Sequence, residues 1–477
     1  MDQTLENQSF GNIFVQRPLF TTRNANRLSR MGRWCVAGRP CTVVGQVLLI
    51  LTLFAFSRTA DAQIEAAKID SEDNVATSHD ALRMARGKHI VLKSDTATDD
   101  LLNDLVDAFD AAVPQWQKFW QLPSGTLDDW KLDGFVIENP DRFRQTGDLP
   151  PGLNFPFGYA TDGNVWVMRQ PSDYYTRHLL LHEGAHALQI HLFGGTGPSW
   201  YAEGMAELLG VHRGTGSQVQ IGRVPNSRDA VPYWGRFKPM DAARKDGNIP
   251  TLDVVMGYPL DLKSDVESYG WSWAAVSLLT EYEAYRPIAL QAGRAGSDYT
   301  AAFTRGLKQQ LDPVWPIVQA RWRVLAETFD YGYDWSRERV VLTIRDKLWS
   351  GTALTRTVRA DLGWQSAGVR FPPGSRLTLS ARGRCQLDDD PKPWISEPAG
   401  VTIHYANDRP LGQLLVAIVP NQTTEDDRLK PLRIFAVDPG CELQISQHSW
   451  LLFRINDRLD DLGNNLGGYQ VTVRRQR

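Results

Sequence analysis

Apolar and polar positions change rhythm twice along the 477-residue chain. Val43–Phe56 reads VVGQVLLILTLFAF, fourteen mostly apolar residues behind Arg30, Arg33 and Arg39. That length suits the hydrophobic stretch of a signal peptide better than a membrane span. Ala60-Asp61-Ala62 offers a small-x-small cleavage pattern, which predicts a signal over 1–62 and a mature start at Gln63. Met31 would give a signal of more ordinary length. Residues 63–87 are polar and read as a loose lead-in. From His89 the pattern becomes structured. HIVLKS (89–94), GFVIEN (134–139) and NVWVMRQ (164–170) are strand-like. Asp99–Trp120 carries apolar residues mostly four apart, the spacing of one helical face. Further helices are expected over Leu179–Leu192, Trp200–Val211, Tyr269–Ala284 and Leu311–Glu327. Strands followed by helices make 88–349 an α+β domain.

Beyond about residue 352 short strands follow one another: GVRF, RLTLSARG, GVTIHY, QLLVAIVP, LRIFAV, CELQIS, WLLFRI and YQVTVR. Pro, Gly, Asn and Asp punctuate them, so residues 355–477 are expected to form an all-β sandwich or jelly roll.

The helix LLLHEGAHALQ (179–189) carries the chemistry. His182 and His186, four apart, lie on one helical face and can meet one metal ion. Glu183 stands beside the first of them, where its carboxylate can take a proton from a water activated by the metal. The alternative is an amphipathic helix with two ordinary histidines. The apolar surroundings weigh against it, because buried imidazoles need partners. PSWYAEGMAELLG (198–210) places Glu203 after a gap of sixteen residues from His186, with Glu207 one turn later on the same face. Metal-bound histidines usually need an outer acceptor, and Glu207 can be one. His178, four residues before His182 on the same face, is expected at the helix start or rim, with a rival metal ligand as the alternative, and His191 at the surface.

HExxH followed by W-x-x-E-G-x-A-E resembles the gluzincin zinc metallopeptidases, and 88–300 resembles small secreted proteins of that type. The resemblance implies a thermolysin-like fold with His182, His186 and Glu203 as zinc ligands. It makes Glu183 the general base and Glu207 a residue that orients His182. Tyr269, in SYGWSW, would hydrogen-bond the oxyanion; its alternative is a core aromatic beside Trp271 and Trp273. NVWVMRQ would be the edge strand that pairs with substrate, or a plain core strand. The G-x-M-E-N stretch with which zinc aminopeptidases hold a free amino terminus is absent.

WLLFRINDRLDDLGNNLGGYQVTVR (450–474) crowds Asp457, Asp460, Asp461, Asn464 and Asn465 into nine residues between two strands. Oxygen donors at this density suit Ca²⁺, though turns use the same residues. With WQSAGVRFPPGSRLTLSARGRC (364–385), this stretch resembles the galactophilic lectins of the PA-I type. The resemblance implies a galactose-binding-like jelly roll with Asp457, Asp461, Asn464 and Asn465 as calcium ligands. The sugar-contacting residues of those lectins have no clean counterpart; His404 and Gln413 do not align.

Charge adds one exclusion. Overall the chain has 52 basic and 55 acidic residues; 1–62 hold seven Arg and three acids, leaving 45 against 52, a net of −7. No basic run points to nucleic acid. Of four cysteines, Cys35 and Cys41 leave with the signal, and Cys385 with Cys441 are a candidate disulfide for an exported protein. The reading is a secreted or periplasmic zinc peptidase. It acts on protein or peptide, has no membrane span after signal cleavage, and carries a module for Ca²⁺ and cell-surface glycan. The rival is a glycan- or surface-binding protein whose peptidase-like domain has little activity.

Overall fold

The computed structural model describes residues 82–476 except 261, 263, 264, 391 and 422–425. The stretch expected to be a signal, 1–62, and most of the lead-in lie outside the described residues. All described residues belong to one compact unit.

The N-terminal part opens on a five-stranded sheet of order β1-β2-β3-β5-β4. Its strands are β1 (Arg83–Arg86), β2 (Ile90–Ser94), β3 (Leu132–Ile137), β4 (Gly158–Ala160) and β5 (Asn164–Met168). The three central strands are parallel, and β1 and β4 are antiparallel edges. One expectation changes here, and one left open is decided. Part of the lead-in, RMAR, is a strand: Ala85 alone is buried, and pairing with β2 holds it. NVWVM is interior, with β3 on one side and β4 on the other, so the cleft-side edge is GYA.

Helix α1 (Asp99–Phe119) begins at Thr98, whose side chain accepts from the Leu101 N–H, and α2 (Pro140–Thr146) follows β3. Then come the two helices of the motif, α3 (Asp173–Phe193) and α4 (Ser199–Gly210). The first starts six residues earlier than its apolar pattern suggests, because Ser172 caps it by accepting from the Tyr175 N–H. It ends at Gly194, whose φ of +71° is the left-handed conformation of a helix stop. Gly184 lies against α1. A Cβ there would stand 2.5 Å from Phe109 Cε2 and 3.0 Å from Trp116 Cη2. The residue that costs a helix about 1 kcal/mol is what lets α3 sit on these aromatics.

A short hairpin, β6 (His212–Arg213) with β7 (Gln220–Ile221), follows. Helices α5 (Phe237–Lys245), α6 (Leu252–Val255), α7 (Val266–Glu281), α8 (Arg286–Gly293), α9 (Ala301–Leu311), α10 (Trp315–Thr328) and α11 (Trp335–Glu338) complete this part. Helix α7 is buried nearly all round, with Trp271 and Trp273 at 0% exposure.

The C-terminal part is two packed antiparallel sheets and no barrel. One contains β8 (Leu354–Arg359), β10 (Arg376–Gln386), β11 (Ile395–Ser396), β16 (Cys441–Gln444) and β18 (Leu466–Arg475). The other runs β15 (Arg433–Ala436), β14 (Leu414–Pro420), β17 (Ser449–Ile455) and β9 (Gln365–Phe371), while β12 (Val401–Ala406) pairs with β13 (Arg409–Leu411). Leu377, Leu379, Val471 and Val473 of the first sheet share a core with Val416, Leu451 and Phe453 of the second. The outer face of the second sheet is also buried: Leu415, Ala417, Val419, Trp450 and Leu452 pack on Ile317, Ala320 and Val324 of α10. Arg454 Nη1 donates to Glu338 Oε2 at 2.9 Å and Trp450 Nε1 to Asp346 Oδ2 at 3.0 Å, both buried across the same junction.

The expected disulfide is not formed; Cys385 and Cys441 are free and buried. Cys441 pairs across from Leu379, and Cys385 lies six residues further along β10, roughly 20 Å at ~3.3 Å per residue. Among the described residues no helix is long and apolar enough to cross a membrane.

Candidate metal centre

Helix α3 presents His182 and His186 one turn apart, and α4 brings Glu203 to them. His182 Nε2 is 3.2 Å and His186 Nε2 3.5 Å from Glu203 Oε2. The two rings stand edge to face, centroids 4.8 Å apart. The three donor atoms lie within 4.8 Å of one another. Two imidazoles and a carboxylate, drawn from two helices and open to a cleft, could hold a metal ion with a position left for another ligand.

The surroundings fix the charges. Burial opposes charge on Glu203, but His186 and His182 outweigh it and hold the carboxyl at about 2. Burial likewise opposes charge on His182, and Glu203 with Glu207 overcome it, pushing the imidazole up to about 10. The cluster therefore demands positive charge, supplied by protons or by a cation. Glu183, 7% exposed, has its pKa raised by burial, with His182 and His186 pulling it back. It faces β4: a Cβ on Gly158 would come within 2.5 Å of Glu183 Oε1.

Glu207 is completely buried behind the ligands. Its Oε1 accepts from Arg236 Nε at 2.9 Å and Nη2 at 2.6 Å, and the same atom lies 3.4 Å from His182 Nδ1. Arg236, just ahead of α5, holds the Glu207 carboxyl well below the ordinary range against the effect of burial. Nothing in the sequence marks this arginine, which sits in WGRFK with no motif.

His178 is not at the rim; it is fully buried. Its Nε2 lies 3.3 Å from Trp234 Nε1, which donates to it, and 3.4 Å from Glu207 Oε2. Its burial on α3 follows from Trp234 and Glu207 closing over it. His178, His182 and Glu207 form a second group of metal-compatible donors, but Arg236 already neutralises Glu207. A cation there would meet a guanidinium, so the group opening onto the cleft is the better host. His191 is half-exposed and pairs with Asp162 at 2.9 Å.

Tyr269 differs from the buried Trp271 and Trp273 on its helix. It is half-buried, lines the cleft with Glu183 and Glu203, and its ring lies 6.3 Å from that of His182. Arg236 stands over the ring at 5.1 Å. Burial, then Glu203, raises the phenol pKa, so it keeps its proton to donate. The cleft side beside it is apolar, with Phe157, Leu179, Leu260, Leu262 and Val266 around a cavity of ≈ 470 Å³.

In the C-terminal loop Asp457 and Asn465 come together. Asp457 Oδ2 accepts from Asn465 Nδ2 at 2.8 Å, and both residues are buried. Asn465 Oδ1 is buried with no hydrogen-bond partner. Asp461 lies 3.4 Å from Arg458 Nε, and Asn464 is exposed. Neither joins the buried pair by a hydrogen bond. The loop docks on the helical part, where Leu459 packs on its core.

No family model matches the chain, and no curated protein matches it. Among solved structures it is similar to the N-terminal domain of EclA, described as a PllA-like lectin. That match has 18% identity and a TM-score of 0.20 over 26% of this chain and 96% of that one. It is also similar to PliG of Aeromonas hydrophila, a periplasmic inhibitor of g-type lysozyme, at 9% identity and a TM-score of 0.15 over 29% and 96%. Likenesses of this extent assign neither a fold nor a ligand to this chain.

Proposed function

We propose that the protein is a secreted zinc peptidase of gluzincin type. The observation that supports it most is the convergence of His182, His186 and Glu203 on one point of a cleft, with Glu183 and Tyr269 beside it. The donor set is the one zinc takes when a coordination position is kept for chemistry. A zinc ion held there supplies Lewis-acid polarisation of a carbonyl and lowers the pKa of water. Glu183 takes the proton of the attacking water as its oxygen bonds to the carbonyl carbon. It then delivers that proton to the leaving nitrogen as the C–N bond breaks. Tyr269 donates a hydrogen bond to the oxygen that gains charge. Glu207, fixed by Arg236, keeps the His182 ring in its ligating orientation. Secretion follows from the apolar run 43–56 and Ala60-Asp61-Ala62.

The same reading gives the C-terminal loop a calcium ion. Its support is Asn465 Oδ1, an orphaned buried acceptor beside the Asp457 carboxylate. Glycan binding at that ion is the remaining part of the proposal.

The test is hydrolysis of a casein-type substrate by the wild type and by Glu183→Gln, with zinc measured in both. Loss of general-base assistance is expected to lower kcat by about 10²–10⁴-fold with zinc retained. Equal turnover by the two proteins, alongside glycan binding by both, would favour the surface-binding reading.

A further inference from the structure

We infer that the cleft takes an extended chain through its middle, so that it cuts interior peptide bonds and does not trim ends. The inference rests on the peptidase reading and specifies its substrate: a peptide bond with several residues on each side.

Two recesses flank the metal cluster. The apolar one, ≈ 470 Å³, lies toward Phe157, Leu179, Leu260 and Val266. The other, ≈ 260 Å³, lies toward Ala160, Ile190, Thr196 and Ala202. Both include Gly158, His182, Glu183, Glu203 and Tyr269, so they meet at the reacting centre. A cleft closed beyond the metal on one side would stop a chain there; the described residues leave a recess on each side.

Its wall agrees. Consecutive residues 156–160 line it, 156–158 on one side and 158–160 on the other. The strand within that wall, β4, is the last in its sheet, so its outer edge has no strand partner among the described residues. An extended chain laid along it crosses Glu183 in mid-course, because Gly158 lies against that side chain: a Cβ there would stand 2.5 Å from Glu183 Oε1.

The experiment compares two peptides of about twelve residues, long enough to cross both recesses at ~3.3 Å per residue. They share one sequence with a central leucine. One has free ends, and the other is N-acetylated and C-amidated. Zinc-loaded protein is incubated with each, Glu183→Gln serves as control, and products are identified by mass spectrometry. The expected result is an interior cut in both, at rates within about threefold, since neither end is recognised. Removal of one or two residues from the free-ended peptide, with the blocked one untouched, would overturn the inference and leave the peptidase reading standing. Failure of zinc-loaded wild type to cut either would overturn both.

Discussion

Leu452→Ala tests whether the helical part and the sandwich are one folding unit. Leu452 is fully buried on the outer face of the second sheet, packed with Ala417 and Trp450 toward α10. Removing its side-chain carbons loses transfer free energy and leaves a cavity, a cost of ~3 kcal/mol. If the described residues unfold together, the transition involves about 400 residues at ~2.1 cal/mol/K each, and Tm falls by about 4 °C. If the sandwich unfolded alone, the same loss over about 125 residues would lower its own transition by about 11 °C. Differential scanning calorimetry separates the two. The shared core and the buried Arg454–Glu338 pair call for one transition, moved by the smaller amount. Leu451→Ala, on the opposite face of the same strand, is expected to shift that same transition. Two transitions, with only the smaller one moved, would refute the reasoning.

Three other outcomes follow. Gly158→Ala places a methyl group against Glu183 Oε1, so peptidase activity is expected to drop by about tenfold or more with zinc content unchanged; unaltered kinetics would remove β4 from the site. Glu207→Gln weakens the acceptor behind His182 and leaves Arg236 without its buried partner. Zinc affinity measured by chelator competition should fall about 10–100-fold, and stability by about 3–5 kcal/mol in chemical denaturation. Calcium at 100 times its Kd should stabilise the wild type by about 2.7 kcal/mol and leave Asn465→Ala nearly unmoved; equal responses in the two would take the ion away from this loop.

The two helices of the candidate metal site could be read in the chain because their chemistry is local: an i, i+4 pair and a short second motif. What supports them could not. Arg236 reaches Glu207 from 29 positions away, and nothing nearby in the chain announces it. β4 is three residues long, too short for any alternation to show, so the sequence leaves only the neighbouring and more hydrophobic NVWVM to weigh, as edge strand or core strand alike. The sandwich strands are legible in the chain, and one signal within them says more. LLVAIV and WLLF are continuous apolar runs, whereas a sheet with one wet face alternates. Leu414, Val416 and Ile418 fill the sandwich core, while Leu415, Ala417 and Val419 face α10. The uninterrupted run was the mark of a sheet covered on both sides. The cysteine pairing failed for a related reason: separation along a strand depends on register, which residue spacing does not reveal.

The most direct measurement is metal content of the purified protein from residue 63 onward, by inductively coupled plasma mass spectrometry, with His186→Ala alongside. The account predicts about one zinc per chain in the wild type and loss of that zinc in the variant. A wild type without zinc after reconstitution, or a variant that keeps it, would contradict the central claim that His182, His186 and Glu203 form a metal centre.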